Sequence, residues 1–163
     1  MKDTHSPITP VAVADAAAFD PQQIADHCAK AMWEEDRASQ AAGMRLLDVG
    51  PGRARLSMTV RADMTNGHGT CHGGYLFALA DSAFAFACNS YNDATVAIGC
   101  SIDYIAPARL GDTLTAVCTE QSRSGRTGNY DVRIENQQGE LIALFHGKSY
   151  KVRGSVLNTE TPA

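Results

Sequence analysis

Residues 73–90 read GGYLFALADSAFAFACNS, and their composition decides the fold. From Tyr75 to Cys88 only Asp81 and Ser82 interrupt the apolar side chains. The run is apolar nearly all round at helical spacing, so the predicted helix, about Gly73 to Ser90, belongs inside the protein rather than on its surface. It is shorter than the roughly 20 residues needed to span a bilayer. Between His72 and Asp93 its one charge is Asp81.

Strand signals lie on both sides of this helix. Upstream, Arg53 to Arg61 alternates strictly, with Ala54, Leu56, Met58 and Val60 on one face and Arg53, Arg55, Ser57, Thr59 and Arg61 on the other. That is a half-exposed antiparallel strand. Residues 44–49 are its expected hairpin partner, turning at Gly50-Pro51-Gly52. Downstream, strands are predicted near 95–105, 113–122, 127–136 and 141–152. Leu141 to Phe145 is apolar on both faces and is read as a central, covered strand. Ahead of these elements, Asp20-Pro21 is a helix start, an N-cap followed by a first-turn proline. It opens a helix over 21–41 that ends at Gly43. The predicted order is helix, two strands, buried helix, four strands. A sheet wrapped around the buried helix satisfies it: an α+β hotdog fold. The expected organisation is a flexible N-terminal tail (1–20), one domain (21–153) and a C-terminal tail (154–163).

The 163 residues suffice for one domain with a core. A net charge of −4, with no cluster of Lys and Arg, argues against nucleic-acid binding. Five cysteines without a CxxC pair point to reduced thiols, and hence to a cytoplasmic, soluble protein with no membrane partner.

A charge on a buried helix is costly unless it is paired, hydrogen-bonded or functional. Taken alone, Asp81 is open to a structural reading, as a hydrogen-bonded aspartate or one facing a water-filled interface, and to a reading as a reactive carboxylate. The loop before the helix, 66–74 (NGHGTCHGG), favours the second. Gly73 and Gly74 leave backbone N–H groups unshielded at the helix N-terminus, where the helix dipole also favours an oxyanion. Asn66 and His72 add side-chain donors. Gly73 and Asp81 are eight residues apart, about 12 Å along a helix axis, too far to serve one carbonyl from the same chain. Two antiparallel helices across a two-fold axis would bring each Asp81 to the other chain's Gly73, giving two shared sites per dimer.

Residues 66–90, Ile102-Asp103-Tyr104, Pro107, Gly111-Asp112-Thr113-Leu114 and the stretch 143–149 (ALFHGKS) together resemble the phenylacetate-pathway thioesterases, the PaaI family of the hotdog superfamily. The likeness runs from about residue 25 to 153. It implies an acyl-CoA thioesterase acting on phenylacetyl-CoA, hydroxylated phenylacetyl-CoA or related aryl or medium acyl-CoA thioesters. It places the carboxylate, as base or nucleophile, on Asp81, the oxyanion donor on the Gly73 N–H, and the loop asparagine and histidine on Asn66 and His72. It also implies a homotetramer built as a dimer of dimers. A reactive thioester needs no metal and no other cofactor for this chemistry. Arg126, in the loop 123–128, is the candidate for the CoA phosphates, with Arg109 a second. The alternatives are a non-catalytic acyl-CoA-binding or sensing protein and a hotdog enoyl-CoA hydratase. Within the chain, Cys71-His72 offers a competing nucleophile, and His68, Cys71 and His72 a competing zinc set.

Overall fold

The computed structural model describes residues 20–157. In chain order it has α1 (Pro21–Glu35), α2 (Arg37–Ala41), β1 (Arg45–Gly50), β2 (Arg53–Thr59), a 3-10 turn (Ala62–Met64), α3 (Gly73–Cys88), β3 (Thr95–Tyr104), β4 (Thr113–Ser124), β5 (Thr127–Glu135) and β6 (Leu141–Lys151). The strands form one antiparallel sheet in the order β1-β2-β4-β5-β6-β3. Helix α3 packs against all six strands. This is the α+β hotdog fold that the sequence pattern predicts. No helix among the described residues is long and apolar enough to cross a membrane.

The alternating strands turn one row of side chains onto α3. Ala54, Leu56 and Met58 from β2, Leu114, Ala116 and Cys118 from β4, and Tyr130, Val132 and Ile134 from β5 are all buried. Two-residue periodicity makes this possible. The helix answers with Leu76, Leu79, Ala80, Ala83, Phe84, Phe86 and Ala87. Phe84 is the central contact. Its ring centroid lies 5.3 Å from Tyr130 and 6.0 Å from Phe145. It lies directly over Gly147 of β6, where an added Cβ would stand 3.0 Å from three ring carbons. Glycine in that strand is therefore a matter of close approach. Phe84 and Phe86 are buried core residues.

The structure departs from the sequence reading in four places. The helix read over 21–41 is two helices. Asp36 leaves helical geometry (φ −82°, ψ 76°), and its carboxylate accepts from the Ser39 N–H at 2.9 Å, so it caps a new helix instead of continuing the old one. The Ser39 hydroxyl is thereby aimed at Ser82 of α3, 2.7 Å away. Second, β4 and β5 run on to meet in a tight turn at Gly125-Arg126, which shortens the loop read over 123–128. Third, β6 is interior to the sheet, between β5 and β3, but only its inner face is covered. Leu144 stays 40% exposed on the outer face, because the single helix layer lies on the other side. Fourth, hydrogen bonding passes the expected domain end at 153: Ala94 N–H donates to Gly154 O and Leu157 N–H to Asn92 Oδ1. Of the two tails, residues 1–19 and 158–163 lie outside the described residues.

Candidate active site

Helix α3 begins where the preceding loop is tied down. The Asn66 side-chain oxygen accepts from the backbone N–H groups of His68 (2.9 Å) and Thr70 (3.3 Å) and from the Thr70 hydroxyl (3.2 Å). Cys71 N–H donates to Ala108 O and His72 N–H to Met64 O. With its oxygen held by three loop donors, Asn66 has its amide NH2 left for a ligand. His72 is the N-cap of α3: its Nδ1 accepts from Gly74 N–H at 2.9 Å. That bond requires Nδ1 to be unprotonated, so a neutral His72 carries its proton on exposed Nε2. The expectation of His72 as a donor is met only by this second nitrogen.

Tyr75 N–H also turns back to His72 O. The Gly73 N–H is left without an acceptor among the described residues, as a first-turn donor would be. Asn66, Thr70, Gly73, Leu76, Tyr104 and Pro107 border a cleft of about 410 Å³ at this end of the helix. Cleft and free donor together can hold a carbonyl oxygen as it gains charge.

Asp81 lies two turns further along α3. It is half-buried and makes no hydrogen bond or ion pair among the described residues. Burial raises its pKa above the ordinary carboxylate range. Its charge reaches the thiols of Cys88, on the same helix, and Cys100, on β3. Both thiols are raised, first by burial and then by this neighbour, Cys88 to about 12. Asp81 therefore sits under the β3 edge of the sheet. The reading as a structural hydrogen-bonded aspartate finds no partner among the described residues.

Cys71 makes a poor competitor. Burial pushes its thiol up to about 11, and it donates to its neighbour's carbonyl, His72 O, at 3.7 Å. A neutral thiol so directed is not a nucleophile.

Arg126 lies at the other end of α3, in a cleft of about 340 Å³ shared with Thr95, Arg123, Ser149 and Lys151. Its Nε donates to Lys151 O at 3.0 Å, and its guanidinium lies 5.0 Å from the Tyr150 ring centroid. Its neighbours Arg123 and Lys151 are paired with Asp93, whereas Arg126 has no acidic partner among the described residues. Arg109 lies elsewhere, bridged to Thr70 beside the Asn66 loop. The residue missed from sequence is Tyr104. Its hydroxyl donates to Gly73 O at 3.1 Å across 31 residues, a closure that only the return of β3 along α3 creates.

Comparison with known proteins identifies the fold and the family. The Thioesterase superfamily model matches residues 68–143. The acyl-coenzyme A thioesterase PaaI of Escherichia coli K12 is 48% identical over 128 residues, 78% of this chain and 91% of the relative. The solved structure of the E. coli PaaI protein superposes with a TM-score of 0.82 at 46% identity, covering 83% of this chain and 99% of that one. A Streptococcus mutans UA159 protein solved with acetyl CoA bound superposes with a TM-score of 0.66 at 25% identity, covering 69% and 90%. Sequence identity over most of both chains, and the same sheet around the same helix, make this chain a member of the PaaI family of hotdog-fold acyl-CoA thioesterases.

Proposed function

We propose that this protein hydrolyses aryl-acetyl-CoA thioesters, phenylacetyl-CoA and its hydroxylated forms first among them, to the free acid and CoA. The observation that carries the reading is Asp81, a half-buried carboxylate with a raised pKa and no partner among the described residues, on the helix whose first N–H has no acceptor among them either. In the reaction Asp81 takes a proton from water as its oxygen attacks the thioester carbon. The carbonyl oxygen becomes an oxyanion and is held by the Gly73 N–H, with Asn66 and His72 Nε2 as neighbouring donors. The tetrahedral centre collapses, the carbon–sulfur bond breaks, and the CoA thiolate recovers the proton from Asp81. A raised pKa makes the carboxylate a stronger base near neutrality. The test is CoA release from phenylacetyl-CoA, hydroxyphenylacetyl-CoA and a straight-chain acyl-CoA. Binding without release of CoA from any of them would return the chain to the acyl-CoA-sensing reading.

The two halves of the site come from two chains in this proposal. About 12 Å separates Gly73 from Asp81 along α3, and β3 is a sheet edge carrying exposed Val96, Ile98 and Tyr104, with exposed Ile105 just past its end. Such an edge with apolar side chains suits pairing with a second β3 across a two-fold axis. Dimers of this kind associate further into a tetramer, for which exposed Leu144 and Val117 on the outer face supply apolar surface. Co-refolding Asp81→Asn chains with Gly73→Leu chains, each inactive alone, is expected to restore about a quarter of wild-type activity. Half of randomly assorted dimers are mixed, and each mixed dimer has one intact site of two. A mixture as inactive as its components would show that the site lies within one chain.

Arg126 binds a CoA phosphate in this scheme, as the cation of its cleft that has no acidic partner among the described residues. Arg126→Ala is expected to raise KM for acyl-CoA about fivefold with kcat unchanged, the effect of losing one partly exposed charged hydrogen bond made equally in ground and transition states. The same variant should leave hydrolysis of a short acyl-pantetheine thioester untouched. The five free thiols, four of them buried, suit a reducing, cytoplasmic setting.

A further inference from the structure

We infer that Tyr104 is the positioning residue of the oxyanion-binding turn, and that it is the reason position 73 must be glycine. The inference rests on the thioesterase reading of that turn. Gly73 is not among the glycines with positive φ, so its backbone is one that any L-residue adopts. It is also the first residue of α3, where alanine would be favourable. Conformation therefore does not explain the glycine. Space does. A Cβ built on Gly73 would stand 2.8 Å from Cζ and 2.8 Å from the hydroxyl oxygen of Tyr104, and 3.2 Å from Cε1.

The phenol does more than fill the space. Its hydroxyl donates to Gly73 O at 3.1 Å, while His72 Nδ1 holds the neighbouring Gly74 N–H at 2.9 Å. The first turn is gripped from two sides, and the Gly73 N–H is the donor left over. Tyr104 is itself held by the sheet. The next two residues, Ile105 and Ala106, both donate to Ile142 O, at 2.9 and 3.2 Å, tying the end of β3 to β6. The Tyr104 side is 55% exposed in the single chain, so packing into the core does not account for its place. The tyrosine's backbone is anchored in the sheet, and its ring is the stop against which the helix start is set.

The test is a double-mutant cycle read in both kinetics and melting. Tyr104→Phe keeps the ring and should lower kcat about fivefold, with KM within about twofold, as expected for one neutral hydrogen bond that orients the turn. Gly73→Ala should lower kcat/KM about 100-fold, because the added methyl pushes the turn off the tyrosine and displaces the Gly73 N–H donor. Tyr104→Leu keeps the stem but removes Cε1, Cζ and the hydroxyl, the atoms in the way. Gly73→Ala/Tyr104→Leu should therefore regain at least about tenfold over Gly73→Ala. Gly73→Ala should also lower the melting temperature in the wild-type background and not in the Tyr104→Leu background. If neither activity nor melting recovers in the double variant, Tyr104 is not what excludes a side chain at 73. If melting recovers but Tyr104→Leu alone keeps wild-type kcat, the contact is structural only, and the positioning role is overturned. Wild-type kcat in Tyr104→Phe would remove the hydrogen bond from the account. If the wild-type protein releases no CoA from any thioester, the thioesterase reading falls and the positioning role with it, while the melting cycle still decides the contact.

Discussion

Asp81→Asn is expected to lower kcat for phenylacetyl-CoA about 1,000-fold and, at the same time, to raise the melting temperature at neutral pH. The first effect follows from removing a general base without changing its size, a loss in the middle of the 10²–10⁴ range that positioned bases contribute. The second follows from the sign of the pKa shift. The folded protein holds the Asp81 proton more tightly than the unfolded chain does, because burial penalises the charge. Between the ordinary carboxylate pKa and the raised folded value, the native state binds more protons, so stability falls as pH rises through that window. Above it the charged aspartate is a standing cost, which asparagine removes. The same shift sets the activity profile. Catalysis requires the carboxylate, so the acid limb of kcat/KM should lie above the ordinary aspartate range and vanish in the variant's residual rate. Stopped-flow CoA release and thermal melts of both proteins between pH 4 and 8 read all three quantities. A variant within tenfold of wild type would falsify the catalytic assignment; a lowered melting temperature would mean that Asp81 has a stabilising partner in the assembled protein.

Phe84→Ala should have the largest effect on stability of any single truncation in the core. The ring is 1% exposed and touches Tyr130 and Phe145. Phenylalanine-to-alanine changes in cores cost about 3–5 kcal/mol, more where the surroundings cannot close over the cavity. Here the wall beneath the ring is Gly147, a position with no side chain to move inward, on an interior strand hydrogen-bonded on both sides. The loss should lie at the upper end of that range, lowering the melting temperature by about 10–15 °C for a chain of this size. Equilibrium denaturation at one fixed protein concentration is the measurement, since association shifts apparent stability. A cost below about 1.5 kcal/mol would mean that α3 settles onto the sheet, and that the Phe84–Gly147 contact is not what fixes their spacing.

Most of the fold was legible without coordinates because its signals are local. The two-residue alternation of Arg53 to Arg61 and of Tyr130 to Glu135 names the inner face of each strand, and the all-round apolar run from Tyr75 to Cys88 names the helix they must cover. The carboxylate and the glycine turn were legible for the same reason: a lone charge in an apolar run and paired glycines at a helix start are contiguous features. The break at Asp36 was not. An aspartate is tolerated within a helix or caps the next one, and the choice depended on Ser39 reaching Ser82 of α3. Nor could spacing reveal that Leu144 would face outward on an interior strand, because sheet order is set by pairing between distant segments.

The sequence by itself determined which residues lie inside and which helix is wrapped, and it singled out one carboxylate and one glycine turn as the candidates for chemistry. Those properties belong to side-chain type and period. Tertiary structure alone decided what stands beside them: Cys100 near Asp81 and Tyr104 over Gly73. The physical reason is that β3 returns along α3 before pairing with β6, so residues about 20 to 30 positions apart meet through sheet register. That register is fixed by hydrogen bonds between strands distant in the chain, a quantity that no local pattern carries.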